Sequence, residues 1–172
     1  MSADVPRPAP ELTFPLPNGQ KISLSSYKGK VVVVEILLTT CPHCQVASQL
    51  LDKLYKEYGP RGIQPLGIAT NEMAQLYVPD YVKKYNLSFP VGYASRDTAL
   101  AFLQHPVMLT MYVPQLVFID RKGVIRGQYS GTDPFFQNEE KNMRAMIESL
   151  LNEPATADAG KKATPAPSSK KK

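Results

Sequence analysis

The chain has 172 residues, 43% of them hydrophobic and 20% charged, the proportions of one soluble globular domain with a sizeable core. Its formal charge of +5 is unevenly placed: from Pro154 onward, five lysines (161, 162, 170, 171 and 172) against Asp158 carry +4 of it. The body is therefore close to neutral, which argues against a nucleic-acid surface. No apolar run approaches the roughly 18 residues of a membrane span, and Met1 to Glu11 has no hydrophobic core region of a secretory leader. The chain reads as cytoplasmic or as one whose leader was removed, with a membrane link only through such a leader.

Ser2 to Pro10 is proline-rich and reads as an extended arm, so residues 1–11 are expected to be flexible. Thr13–Leu16 and Gln20–Leu24 flank Pro17-Asn18-Gly19, a hairpin turn signal. Ser25 to Gly29 reads as a single helical turn closed by glycine. Val31 to Leu38, β-branched and apolar apart from Glu35, is a strand buried on both faces.

Past Thr39-Thr40 an amphipathic helix begins, with Val46, Ala47, Leu50, Leu51, Leu54, Tyr55 and Tyr58 on its apolar face and Gly59-Pro60 as its stop. Ile63–Thr70 is a second strand whose Pro65 points to an irregular start or a position outside the ladder. Asn71 is placed to cap a helix over Val78–Tyr85, and Phe89–Tyr93 is a short strand. Ser95 is the N-cap of a helix through Ala99, Leu100, Phe102 and Leu103 that Pro106 breaks, with His105 at its end. Gln115–Asp120 and Val124–Tyr129 form a hairpin across Arg121-Lys-Gly123. Thr132-Asp-Pro134 opens a last helix with Met143, Met146, Ile147, Leu150 and Leu151 inward. This order predicts an α/β fold with a mixed sheet covered on both faces, residues 12–152 forming the domain and 153–172 a disordered tail rich in Lys, Pro and Ala.

The chemistry concentrates where the buried strand hands over to the helix. Cys41 and Cys44, spaced C-x-x-C beside a strand–helix unit, read as a dithiol redox site. Unpaired N–H groups and the positive end of the helix dipole favour a thiolate at Cys41. A structural zinc site needs about four ligands, and the chain offers two cysteines and the histidines 43 and 105, so the expectation is no metal and a redox-active disulfide in place of a cofactor. Cys41 is expected to be the exposed attacking thiol and Cys44, one turn in, the shielded partner that resolves mixed disulfides. His43 is placed to favour the thiolate and so to make the disulfide more oxidising. Glu35 interrupts the apolar strand, where a carboxylate is costly unless it titrates or finds partners. It is expected to be a buried acid that passes protons to and from Cys44, against the plain alternative of a sheet-end residue near solvent. Pro114, before the Gln115 strand, carries no signal on sequence physics alone.

With these residues placed, the chain resembles the thioredoxin-fold family of TlpA/ResA-like thiol:disulfide oxidoreductases, related to the AhpC/TSA group. The resemblance runs over about Leu12 to Leu151 and rests on Leu24-Ser-Ser-Tyr-Lys-Gly-Lys30, Val34-Glu35, Cys41-Pro-His-Cys44, Val113-Pro114 and Phe118-Ile-Asp-Arg-Lys-Gly123. It implies Cys41 as nucleophile, Cys44 as resolving thiol and Glu35 as the buried acid of the active-site strand. It further implies that Pro114 is a cis-proline lying against the dithiol. Together with Val113 and Pro42 it would dock an extended protein substrate. Asn71 to Tyr93 matches the extra strand–helix insertion of the TlpA-like branch. Two departures stand out: Thr40 occupies the place of a tryptophan, and Gln49 that of a helix proline. Cys-Pro-His-Cys with valine before the proline is similar instead to the disulfide oxidase DsbA, so the direction of electron flow stays open. The resemblance also implies a cell-envelope or periplasmic setting, protein thiols or disulfides as substrates, a separate redox partner, a monomer, and a part in redox homeostasis and antioxidant defence.

Two other functions compete. A thiol peroxidase of the AhpC/TSA kind wants threonine three residues before its attacking cysteine; those positions hold Leu38 and Cys41. A copper carrier would use Cys41, Cys44 and a histidine on Cu(I), though such carriers space their cysteines more widely.

Overall fold

The computed structural model describes residues 3–154. Eight strands and four α-helices are ordered β1 (Arg7–Pro8), β2 (Thr13–Pro15), β3 (Lys21–Ser23), β4 (Val31–Leu37), α1 (Pro42–Tyr58), β5 (Ile63–Ala69), α2 (Ala74–Lys84), β6 (Val91–Tyr93), α3 (Arg96–Leu103), β7 (Gln115–Ile119), β8 (Val124–Tyr129) and α4 (Glu139–Leu151). The main sheet runs β1-β8-β7-β4-β5-β6, and β2-β3 is a separate hairpin. Parallel pairing of β4, β5 and β6 through helical crossovers, with antiparallel β7 and β8 on the other flank, gives the expected mixed sheet.

β4 lies at the centre and every residue of it is buried, as its apolar run requires. Strand alternation divides its side chains between two layers. Val31, Val33 and Leu37 join Leu51, Leu54, Met143 and Ile147 of α1 and α4. Val32, Val34 and Ile36 join Phe14, Ile22, Phe102 and Leu103 from the N-terminal hairpin and α3. Each fully buried aliphatic side chain contributes on the order of 2 kcal/mol by burial.

Several local readings change in the fold. The arm is not free: Arg7 and Pro8 pair with Ile125 and Val124 as an edge strand, and the Arg7 guanidinium bonds the Phe102 carbonyl and Gln128. Long-range pairing with β8 supplies what the local proline-rich sequence could not reveal. Gly59-Pro60 does end α1, at Tyr58, and adds one 3-10 turn (Gly59–Arg61) before the reversal into β5, which falls on Gly62 at φ 111°, a left-handed position that favours glycine. Pro65 sits inside the ladder opposite Val33, tolerated because β6 pairs only with Gly67–Ala69 and leaves the other edge of β5 bare there. The second crossover helix starts earlier than its pattern, at Ala74, after a left-handed Met73, and contains Pro79 in its second turn. Val46, read as core, is 55% exposed, because the buried face of α1 is centred on Ala47, Leu51 and Leu54.

Ser95 does cap α3, its Oγ accepting from the Thr98 N–H at 3.1 Å. Asp133 caps a 3-10 turn over Pro134–Asn138 that precedes α4. α2 and β6 form the strand–helix insertion, tied to α1 by the Asp52 carboxylate, which accepts from both the N–H and the hydroxyl of Ser88. Glu153 and Pro154 are described, and the remainder of the tail, residues 155–172, lies outside the described residues.

Candidate active site

Cys41 is the N-cap of α1 and Pro42 its first helical residue, the position where proline's missing N–H is no loss. Both cysteines are free thiols; Cys41 is partly exposed and Cys44 is buried. The Cys41 Sγ accepts the backbone N–H of Cys44 at 3.2 Å. A sulfur in the N-cap position thus receives one of the orphan helix donors. Burial pushes the Cys44 thiol far up, and its contact with Cys41 and the nearby Glu35 carboxyl add to the push.

Glu35 sits under this turn and is wholly buried. Its Oε1 accepts from the Ser48 hydroxyl at 2.6 Å, while its Oε2 is buried without a protein partner. Burial pushes the carboxyl up to about 8; the Ser48 bond draws it back and the Glu139 carboxylate adds to the rise. Because Ser48 spends its proton on Glu35, the Tyr81 hydroxyl, 2.8 Å from the Ser48 Oγ, is the donor of that pair. Burial, then Glu35, pushes the Tyr81 phenol up as well, which keeps it a donor. The sheet-end alternative for Glu35 is therefore wrong: it lies mid-sheet, paired in register with Gly67 and Leu116.

Ser48 follows Cys44 by one helical turn, so the i, i+4 spacing was a usable signal for it. Tyr81 comes from α2, 33 residues away from Ser48, and nothing local marks it.

Asn71 is not a helix cap. Its Oδ1 accepts from the Thr39 N–H at 3.1 Å and its Nδ2 donates to the Thr39 Oγ1 at 3.0 Å. That two-point clamp fixes the loop between β4 and the dithiol.

His43 meets the segment that leads into α4. Its Nε2 lies 3.7 Å from the Glu139 Oε2, and its ring stands edge-on to Phe136 with centroids 4.8 Å apart.

Val113 and Cys41 pack against the same hydrophobic cluster, and the Val113–Pro114 peptide bond is cis. β7 begins beside Ile36, which places the Val113-Pro114 loop at the same end of the sheet as the cysteines. Gly131 lies under this loop: a Cβ there would meet the Val113 carbonyl oxygen at 2.4 Å. Pro42 is exposed between the cysteines. His105, just beyond the left-handed end of α3, has its Nδ1 2.9 Å from the Pro106 carbonyl and lines a separate polar hollow with Gln115 and Gln128. Among the described residues no helix is long and apolar enough to cross a membrane.

Residues 5–147 match the Redoxin family. The chain is 26% identical over 134 residues to the thioredoxin-like protein YneN of Bacillus subtilis, covering 77% of this chain and 75% of that one. It is 30% identical over 89 residues to the thiol-disulfide oxidoreductase ResA of Bacillus thuringiensis, about half of each chain (52% and 51%). Among solved structures, a thioredoxin-family thiol:disulfide interchange protein of Chlorobium tepidum superposes with TM-score 0.71 at 27% identity, over 87% of this chain and 99% of that one. A hypothetical protein of Sinorhizobium meliloti reaches TM-score 0.73 at 20% identity over 88% and 86%, a likeness of fold alone. The thioredoxin-like fold expected from the sequence is thus found, and this chain belongs to the Redoxin family, among its thiol:disulfide oxidoreductases.

Proposed function

We propose that the protein exchanges disulfides with protein substrates through Cys41 and Cys44. The observation that carries this reading is an N-cap thiol and a buried thiol standing over the buried Glu35 carboxyl. In the reducing direction, the Cys41 thiolate attacks a substrate disulfide. The substrate S–S bond breaks, a mixed disulfide forms, and one substrate sulfur leaves and takes up a proton. Cys44 then gives its proton to Glu35 and attacks the Cys41 sulfur. The Cys41–Cys44 bond forms, the second substrate thiol departs, and two electrons have passed to the substrate. A carboxyl held near 8 is suited to this shuttle, since its ionised and protonated forms are both accessible close to neutral pH. The oxidising direction is the reverse of these steps. Val113 and Pro114, with Pro42 exposed between the sulfurs, form the docking edge for an extended polypeptide.

The setting is the cell envelope, a separate dithiol partner resets the cysteines, and a monomer suffices because every group named comes from one chain. Cell fractionation and gel filtration check these points.

Two variants test the chemistry. Cys44→Ser is expected to accumulate a mixed disulfide with a peptide disulfide substrate, and Cys41→Ser to lose both the adduct and turnover. Full exchange activity in Cys41→Ser overturns the proposal. The direction follows from the reduction potential against a glutathione buffer, with about −270 mV for thioredoxin and about −120 mV for DsbA as reference points.

A further inference from the structure

We infer that Glu139 is a positioning residue for His43, one that restrains the oxidising power which the Cys-Pro-His-Cys motif would otherwise have. The inference rests on the exchange reaction proposed above and concerns its equilibrium. His43 is the second residue of α1, one position past the exposed proline, where a free imidazole could lean toward the Cys41 sulfur. It is instead held from the side of α4. Glu139, the first residue of that helix, brings its Oε2 to 3.7 Å from the His43 Nε2, and Phe136 receives the ring edge-on.

Glu139 is itself well shielded, with a side chain 13% exposed and an Oε1 that is buried without a partner. Its other acidic neighbour on α4, Glu140, is spent on Lys53 and Arg144, so neither of those cations reaches over to neutralise Glu139. Burial pushes the Glu139 carboxyl up and His43 draws it back, while Glu139 in turn raises the Glu35 carboxyl. Glu139 therefore bears on both the imidazole and the acid under the dithiol.

A positive charge beside Cys41 stabilises the reduced, thiolate-bearing form and makes the disulfide a stronger oxidant. An adjacent carboxylate offsets that charge and ties the ring back. The reduced form then gains less from His43 than the tetrapeptide implies, and the chain sits nearer the reducing end of the range.

The test is the thiol–disulfide equilibrium constant of the full chain with glutathione, read in a four-member cycle. Glu139→Gln, nearly the same shape without the charge, is expected to shift the constant toward the dithiol by about three- to tenfold, tenfold being ~30 mV for a two-electron couple. In a His43→Asn background the same substitution is expected to produce less than half of that shift. Phe136→Leu, which removes the aromatic contact to the ring and leaves Glu139 in place, is expected to move the constant in the same direction by a smaller factor. It also serves where Glu139→Gln fails to fold. No shift, a shift toward the disulfide, or an equal shift in both backgrounds overturns the inference. Activity in Cys41→Ser would instead overturn the reaction itself, so the two failures are distinguishable.

Discussion

The two faces of β4 are built from one run of residues and do different work. Val32, Val34 and Ile36 face a layer of apolar side chains from α3 and the N-terminal hairpin. The polar groups at that layer's end bond backbone carbonyls, Gln115 to Tyr112, Gln128 to Leu103 and the Arg7 guanidinium to Phe102. On the opposite face Val31, Val33 and Leu37 are equally apolar, but Glu35 breaks the series and meets only a serine and, through it, a tyrosine. The first face contributes stability, and its buried polar atoms without a partner, the Nε and Nη1 of Arg7, lie out at the edge strand β1. The second gives up some of that stability by keeping a half-partnered carboxyl dry beside a buried thiol, and gains a titrating group where the dithiol needs one.

The largest effect expected from this contrast is on the acidic face. Glu35 takes up its proton more readily in the fold, near 8 against an ordinary 4.5, so the native state binds more protons than the unfolded chain between those values. Unfolding free energy is therefore expected to fall as pH rises from about 5 to 8, by on the order of 4 kcal/mol at about 1.4 kcal/mol per pKa unit. Glu35→Gln should flatten this slope and slow the resolution of mixed disulfides. Urea unfolding at a series of pH values checks the first, and single-turnover exchange the second. A slope unchanged in the variant would remove Glu35 as its source.

On the apolar face, Ile36→Ala is expected to cost about 3 kcal/mol through lost burial and a cavity, while the exchange rate of the folded fraction stays near the parent value. A large loss of that rate would mean that the two faces are not separable.

Gly131→Ala addresses the docking edge. The new methyl meets the Val113 carbonyl, and overpacking of this kind costs about 2 kcal/mol. Exchange with a peptide disulfide should suffer more than reaction with a small-molecule disulfide, which a comparison of the two rates measures. The smallest effect belongs to Asn71→Ala. It frees the Thr39 N–H, with an expected loss of about 1 kcal/mol and a modest fall in rate, read by thermal unfolding and exchange assays.

Within the site, legibility follows distance along the chain. Cys41, Cys44 and the helix they open were readable because motif, strand and helix are consecutive and their patterns are local. Glu35 was readable as an anomaly, since a carboxylate in a strand buried on both faces must be explained. Its partners were less so: Ser48 could have been found one turn past Cys44, but Tyr81 arrives from another helix. The role of Asn71 was misread because a helix cap is a local possibility and a clamp on Thr39, 32 residues back, is not. His43 was read without Glu139, which lies far along the chain and meets it only because α4 packs beside α1.

By itself, then, the amino-acid order determined the alternation of elements, the central strand, the dithiol and its place at a helix start, because hydrophobic period, caps and turn residues act over a few positions. Tertiary structure alone decided which groups from other elements surround the two sulfurs. Those partners come from β4, α1, α2 and α4 and the loops around β7 and β8. Only the order of strands in the sheet and the packing of helices upon it bring them within hydrogen-bonding and Coulombic reach.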